Sequence, residues 1–380
     1  MALDDATLVR APTAALPRRG VIGQIRRGLF SSWWNALLTL VALALFWLLV
    51  PPAVRFLLTD AVWTGKDREA CLAASGGSGH VGACWAFVKA NLGLFVYGRY
   101  PEPERWRVDL VFALGAVALV PLAVPNAPFK RLNAAFTFLA FPVIAFVLLT
   151  GSPWLGLARV ETALWGGLLV TLVIAVSGIV ASLPLGILLA LGRRSRLPAI
   201  RLLSVMFIEF WRGVPLVTVL FMASVMLPLF LPEGISFDKL LRALVGVALF
   251  SAAYMAEVVR GGLQAIPRGQ YEAAMALGLG YWRTMGLVVL PQALRLVIPG
   301  IVNTFIGLFK DTSLVYVIGL FDLLTQIQAA ITNPNWATPV TSYSGYAFAA
   351  LVYFAFCFAM SRYSLFLERR AGAGRRGERP

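Results

Sequence analysis

The length of its uncharged runs constrains this chain more than any other feature. No Asp, Glu, Lys or Arg interrupts residues 28–54, 110–129, 132–158, 162–192 or 213–232, and each run holds 20 residues or more. A helix needs about 20 apolar residues to cross the hydrocarbon core of a bilayer. Two shorter runs follow, 243–256 and 296–309, of 14 residues each. A last run, Leu323 to Ser361, is polar at first and strongly apolar from Tyr346. The expectation is an all-α integral membrane protein with about eight transmembrane helices. Composition agrees, since 13% of the residues are charged, against about 25% in an ordinary soluble domain.

The formal charge of +15 would suggest nucleic acid in a soluble chain. Here the basic residues sit between apolar spans, and aromatics and Arg do not interleave on a polar face, so the charge reads as membrane topology and no nucleic-acid partner is expected. With the N-terminus placed in the cytoplasm, the inside segments 1–28, 130–131, 193–201, 260–295 and 362–380 hold 21 of the 33 Lys and Arg. The outside segments hold 10, of which 7 are spread over the long loop 55–107. That bias places both termini inside. The first run follows a polar stretch with Arg10, Arg18, Arg19, Arg26 and Arg27, is too long for a leader's apolar region, and reads as a retained helix.

Four regions follow. Residues 1–28 are a basic cytoplasmic N-terminus. Residues 29–155 are a three-span front part with the outside loop 55–107. Residues 156–366 are five spans with a long inside loop, 260–291. Residues 367–380 are a basic, Gly-rich tail suited to anionic lipid. Cys71 and Cys84 share the outside loop, where a disulfide and two free thiols are both open readings. His80, the only histidine, is in the same loop. One histidine excludes His-based metal clusters and Ser-His-Asp catalysis, and no G-x-x-x-x-G-K-[ST] is present to bind ATP.

The inside loop reads RGGLQAIPRGQYEAAMALGLGYWRTMGLVVLPQ. Pro267 suits a first helical turn, and Gly278 and Gly280 suit its end. A second short helix is expected over Tyr281–Val289, with Pro291 where the next span begins. The pattern Glu272-Ala273-Ala274, three residues, Gly278, nine residues, Val288, one residue, Leu290-Pro291 resembles the EAA loop of bacterial ABC importer permeases, with Val288 in place of Ile. Further segments resemble the polar-amino-acid branch of that family: TLVIAVSGIVASLPLGILLALGRRS, EFWRGVPLV, YMAEVVRGGLQAIPRGQYEAA and NTFIGLFKDTSL. The front part and the C-terminal run are similar to those of the longer permeases of broad-range L-amino-acid importers.

The resemblance implies a five-helix permease core in an inner membrane, moving amino acids from periplasm to cytoplasm by alternating access. It implies an ABC ATPase dimer, a periplasmic amino-acid-binding protein and a second, different permease as partners. It implies no cofactor in this chain, with ATP and Mg on the ATPase. Glu272, Ala273, Ala274, Gly278, Leu290 and Pro291 would then form the ATPase-coupling knob, a stiff element able to transmit a rigid-body rotation. An ion-coupled secondary transporter is the alternative and would show two matching inverted halves. A membrane enzyme would need a catalytic set that the scattered carboxylates do not supply.

Charges near span ends complete the candidates. The 14-residue runs are too short to cross alone, so Glu257 or Arg260, and Lys310 or Asp311, are drawn to the membrane edge, where charges are costly. Glu209 with Arg212 and Glu257 with Arg260 share an E-x-x-R-G spacing that puts each pair on one helix face. They read as helix-end ion pairs or as functional residues. A break near Lys310-Asp311-Thr312-Ser313 would expose backbone groups that are tolerated at depth only beside protein or a cavity. With Asn303 these residues could hold a zwitterion, or Lys310 and Asp311 could be a locking pair.

Overall fold

The computed structural model describes residues 28–73, 82–124, 127–230, 232 and 237–376. The basic residues before Gly28 and His80 lie outside them. The chain divides into two units, Met1–Ala61 with His80–Ala83, and Val62–Gly79 with Cys84–Pro380.

In the first unit, α1 (Trp33–Val54) is capped by Ser32, whose hydroxyl accepts the Asn35 amide. None of its residues is buried by protein, and a helix apolar on every side needs apolar cover, which for a membrane span is lipid. After Pro51-Pro52 the helix widens over Arg55–Thr59, where the Asp60 amide reaches back five residues to the Arg55 carbonyl at 2.9 Å.

The second unit begins with an insert of short helices: α2 (Arg68–Ala73), α3 (Trp85–Ala90) and α4 (Leu92–Tyr97). The connection expected as a loop is folded. Cys71 and Cys84 are joined by a disulfide, with Cα atoms 5.7 Å apart. The Cys84 amide donates to Ser344 Oγ at 2.7 Å, and the Arg68 amide donates to the Asn335 carbonyl at 2.9 Å. Phe87 meets Phe95 and Trp336 edge-on. Hydrogen bonds and a ring contact thus hold the insert on the last part of the chain, and the disulfide closes the insert on itself.

Next come α5 (Arg105–Ala123) and α6 (Lys130–Thr150). Arg107 in α5 is buried, pairs with Glu104 and donates to the Ala158 carbonyl at 2.8 Å. A buried guanidinium needs such partners.

The remaining elements are α7 (Gly167–Arg193), α8 (Pro198–Gly213), α9 (Leu216–Phe230), α10 (Lys239–Gln264), α11 (Arg268–Ala276), α12 (281–296), α13 (Ile298–Ile318), α14 (Leu323–Ile331) and α15 (Pro339–Arg376). Among the described residues six helices are long and apolar enough to cross a membrane: α1, α6, α7, α10, α13 and α15. The pair α8 and α9, bent by 103°, makes a seventh if counted as one span. The segment expected as the second span is α5, whose first turns carry Arg105, Arg107 and Asp109.

α7 and α10 form the spine. A Cβ at Gly186 would sit 2.7 Å from Met255 Cβ and 3.0 Å from the Ala256 amide nitrogen, so glycine lets the two backbones meet. Small residues at such contacts are how helices approach closely where lipid gives no hydrophobic drive. Ala252, Ala253, Ala256 and Val259 on α10 are fully buried, with Leu169, Val170 and Ile174 on α7.

Two sequence expectations are corrected. The helix beginning at Tyr281 does not stop at Val289. It runs through Pro291 to Leu296, and the next span starts at Ile298. Proline lacks an amide and crowds the carbonyl four residues back. The helix absorbs this by widening over Thr284–Val289, where the Leu290 amide bonds the Met285 carbonyl, the single-turn bulge seen at strained helical positions. The fifth span is also shorter than 213–232. Its straight part starts at Leu216, and α8 meets it at a sharp bend around Val214-Pro215.

Candidate functional site: a coupling knob, a charge network and a polar helix face

The connection from α10 to α12 forms a compact knob. α11 ends at Ala276, Leu277 caps it, and Gly278 follows with φ of +73°. The Gly278 amide donates to the Met275 carbonyl at 2.9 Å and the Leu279 amide to the Ala274 carbonyl at 3.1 Å. This pair of bonds is the Schellman closure, which satisfies the last carbonyls of a helix and requires a left-handed residue.

Three side-chain ties stiffen the knob. Arg194, just past α7, donates to the Leu263 carbonyl at 3.1 Å and to Tyr271 Oη at 3.0 Å, and Tyr271 Oη donates to the same carbonyl at 3.2 Å. Gln292 Nε2 donates to Gln270 Oε1 at 3.0 Å, joining α11 to α12. Thr284 Oγ1 donates to the Leu279 carbonyl at 3.2 Å. Ala274 is buried under the knob, whereas Glu272, Ala273 and Gly278 face out.

The outer surface is apolar as well as exposed: Met275 is 60% exposed, Leu277 80%, Trp282 71% and Leu287 70%. Beside it lies a cleft of about 390 Å³ that includes Arg194, Arg268, Tyr271, Glu272 and Met275. Leu290 and Pro291, part of the sequence pattern, sit in α12, where Leu290 is half-buried and Pro291 exposed. They shape the helix behind the knob, at the widened turn.

Directly inside the knob, Glu257 of α10 sits at the centre of five charges. Arg260 binds it through Nε at 2.9 Å and Nη2 at 2.8 Å. Arg193 at the end of α7 reaches it at 2.8 Å and Glu209 of α8 at 2.9 Å. Arg212 lies 3.7 Å from Glu257 and 4.0 Å from Glu209. The two pairs seen in the sequence are therefore one network over three helices. The i,i+3 contact of Glu209 with Arg212 is its weakest link, and Arg193, which sequence reasoning missed, is its bridge.

On α13, Asn303, Gly307 and Lys310 share one face by their spacing of four and three. Asn303 and Lys310 are exposed, and a Cβ at Gly307 would meet nothing within 4 Å. At Asp311 the helix tightens into three-residue turns over Thr312–Ile318, so the expected break is a change of pitch with no gap in the backbone. Thr312 Oγ1 donates to the Phe309 carbonyl at 2.8 Å and Ser313 Oγ to the Lys310 carbonyl at 3.0 Å. Both hydroxyls serve the local backbone. Among the described residues Lys310 and Asp311 form no ion pair within 4.0 Å.

Asp322 was not singled out by the sequence. It is fully buried and caps α14, accepting the Leu324 and Thr325 amides at 3.0 and 3.1 Å and the Tyr353 hydroxyl at 3.2 Å. Burial pushes its carboxyl up from the usual range, and those hydrogen bonds pull it back. Its D-L-L-T cap spacing was the available signal.

The comparisons with known proteins agree with one another. The family described as binding-protein-dependent transport system inner membrane component matches residues 182–372. The inner membrane amino-acid ABC transporter permease protein YhdY of Escherichia coli (strain K12) is 55% identical over 351 residues, covering 92% of this chain and 93% of the relative. The glutamate/glutamine/aspartate/asparagine transport system permease protein BztC of Rhodobacter capsulatus is 41% identical over 434 residues, covering 97% and 99%. The crystal structure of an amino acid ABC transporter with histidines is 30% identical, with a TM-score of 0.47, over 54% of this chain and 92% of the other. Both YhdY and BztC are named as transport-system permeases, and neither is named as an ion-coupled transporter.

Proposed function

The chain belongs to the family of binding-protein-dependent transport system inner membrane components, and from that premise we propose how its parts divide the work. It is the transmembrane permease subunit of an ABC importer, a multi-pass inner-membrane protein that is not itself an enzyme. Importers of this family work with a separate ATPase and a binding protein. Its cargo is polar or broad-range L-amino acids; the relative YhdY is named for amino acids and BztC for glutamate, glutamine, aspartate and asparagine. It pairs with a second, different permease, and both of its termini face the cytoplasm. ATP and Mg are held by the ATPase dimer and not by this chain.

The observation that carries this reading is the knob. An exposed, apolar, closed turn with three side-chain ties suits a protein partner and transmits force without deforming. Glu272, Ala273 and Gly278 form the contact face, and Leu290 and Pro291 carry the motion into α12. The charge network centred on Glu257 joins α7, α8 and α10 just inside the knob, so a push there moves three helices together. The open face of α13 bearing Asn303 and Lys310, with Asp311 at its end, is the cargo path. Thr312 and Ser313 shape its backbone.

Cysteine cross-linking tests the knob. Ala273→Cys, in a complex whose ATPase carries single cysteines along its permease-facing groove, is expected to form an intersubunit disulfide whose yield changes with ATP. An assembled, transporting complex with no cross-link from Ala273→Cys or Glu272→Cys at any groove position would refute the contact.

A further inference from the structure

The opposite end of α10 carries a different site. α10 has 26 residues from Lys239 to Gln264, so its two ends lie about 39 Å apart. At the Lys239 end is a cavity of about 140 Å³, close to the 150 Å³ or so of an engineered cavity that accepts benzene. Its floor includes Trp165 and Gln326, 5% and 3% exposed. Its mouth includes Arg99, Asp238 and Lys239, all exposed. A Cβ at Gly166 would collide with the Gln326 amide, so glycine there leaves that side chain its room.

The polar groups are unevenly satisfied. Asp238 accepts the Thr162 hydroxyl and, as the cap of α10, the Leu241 amide at 3.0 Å. Among the described residues neither Arg99 nor Lys239 forms an ion pair, and Arg99 lies over the Phe321 ring at 5.5 Å. Among the described residues Trp165 Nε1 is buried with no hydrogen-bond partner. A buried indole N–H left bare costs free energy until something accepts from it. Two unpaired cations and a bare donor around a small cavity call for an anionic acceptor, and the carboxylate beside them suits a cation on the same ligand.

We propose that this cavity is an entry site for the cargo amino acid, on the membrane face opposite the coupling knob. The α-carboxylate accepts from Trp165 Nε1 and lies between Arg99 and Lys239, and the α-ammonium faces Asp238. This rests on the amino-acid permease reading and adds a place where the ligand halts before the path along α13.

The test is ligand protection of a thiol at the mouth. Ala163→Cys, at an exposed lining position, is labelled with a membrane-impermeant maleimide in the reconstituted importer carrying Cys357→Ser, without binding protein. L-glutamate and L-glutamine, each at about ten times its dissociation constant, are expected to slow labelling roughly tenfold by mass action, whereas ethylamine, which has no carboxylate, leaves the rate unchanged. Trp165→Phe, which keeps an aromatic ring and removes the donor, and Arg99→Gln are each expected to abolish protection while labelling itself persists. No protection by either amino acid in a complex that still imports would overturn the entry site and leave the permease reading standing. A complex that imports neither amino acid with ATP and binding protein would overturn that reading. Equal protection by sulfate, protection that survives both substitutions, or protection given only by ligand-free binding protein would each overturn the amino-acid assignment.

Discussion

The two ends of α10 are built from similar residues to opposite purposes. At the Gln264 end the polar groups are paired: Arg194 with Tyr271, Gln270 with Gln292, and Glu257 with three arginines. Exposed there are large apolar side chains, led by Leu277 and Trp282, with Arg268 and Glu272 beside them at the cleft. At the Lys239 end the arrangement differs: among the described residues Arg99 and Lys239 form no ion pair and the Trp165 N–H has no acceptor. A surface tied together by its own side-chain hydrogen bonds is stiff, and one that also presents large apolar side chains suits a protein contact. A surface that leaves them open invites a small polar ligand. On the proposed function one helix joins a transmitting end to a receiving end, and the difference between them lies in where hydrogen bonds are completed.

Substitutions break this contrast at different depths. Glu257→Gln should have the largest effect. It leaves Arg193, Arg212 and Arg260 crowded around a neutral side chain only 16% exposed, and losing one partner of a buried charge cluster costs about 3 kcal/mol. The expected outcome is a lower thermal midpoint for the purified subunit and weaker coupling, with amino-acid protection at Ala163→Cys retained. Loss of that protection would show that the two ends are not separable.

Gly278→Val should come next. Nothing lies within 4 Å of the would-be Cβ, so space is open and the strain lies in the backbone at φ of +73°. A left-handed conformation costs an L-residue about 1–2 kcal/mol. The subunit is expected to insert normally while ATP hydrolysis by the complex no longer drives uptake. Uptake at the unaltered rate per ATP would count against the knob as transmitter. Glu209→Gln should have the smallest effect. Its side chain is 54% exposed, and a surface pair contributes about 0–1 kcal/mol. A shift in thermal midpoint as large as that of Glu257→Gln would place the centre of the network on α8 instead of α10.

Much of the fold was legible because a bilayer imposes a simple rule on the chain. Uncharged runs long enough to cross became helices at α1, α6 and α7, and the short run 243–256 lengthened to Lys239–Gln264 by taking in Glu257 and Arg260. The knob was legible because Gly278 marks a left-handed closure by its type alone. What stayed hidden depends on contacts distant in the chain. Arg193 lies 64 residues before Glu257 and Arg194 lies 77 before Tyr271, so no local spacing reveals either. The folded insert was read as a loop because its stability comes from a disulfide and from Ser344 and Asn335, which follow it by more than 250 residues. The path of α12 through Pro291 was misread because a widened turn absorbs a proline that would otherwise end the helix.

This subunit provides a path and a transmitter, and another chain supplies the energy. Uptake of labelled L-glutamate or L-glutamine into proteoliposomes holding the full complex tests that division most directly, with ATP, proton gradient and sodium gradient varied one at a time. Uptake that requires ATP and the binding protein and ignores both gradients is the predicted result. Uptake that follows an ion gradient in the absence of ATP would contradict it.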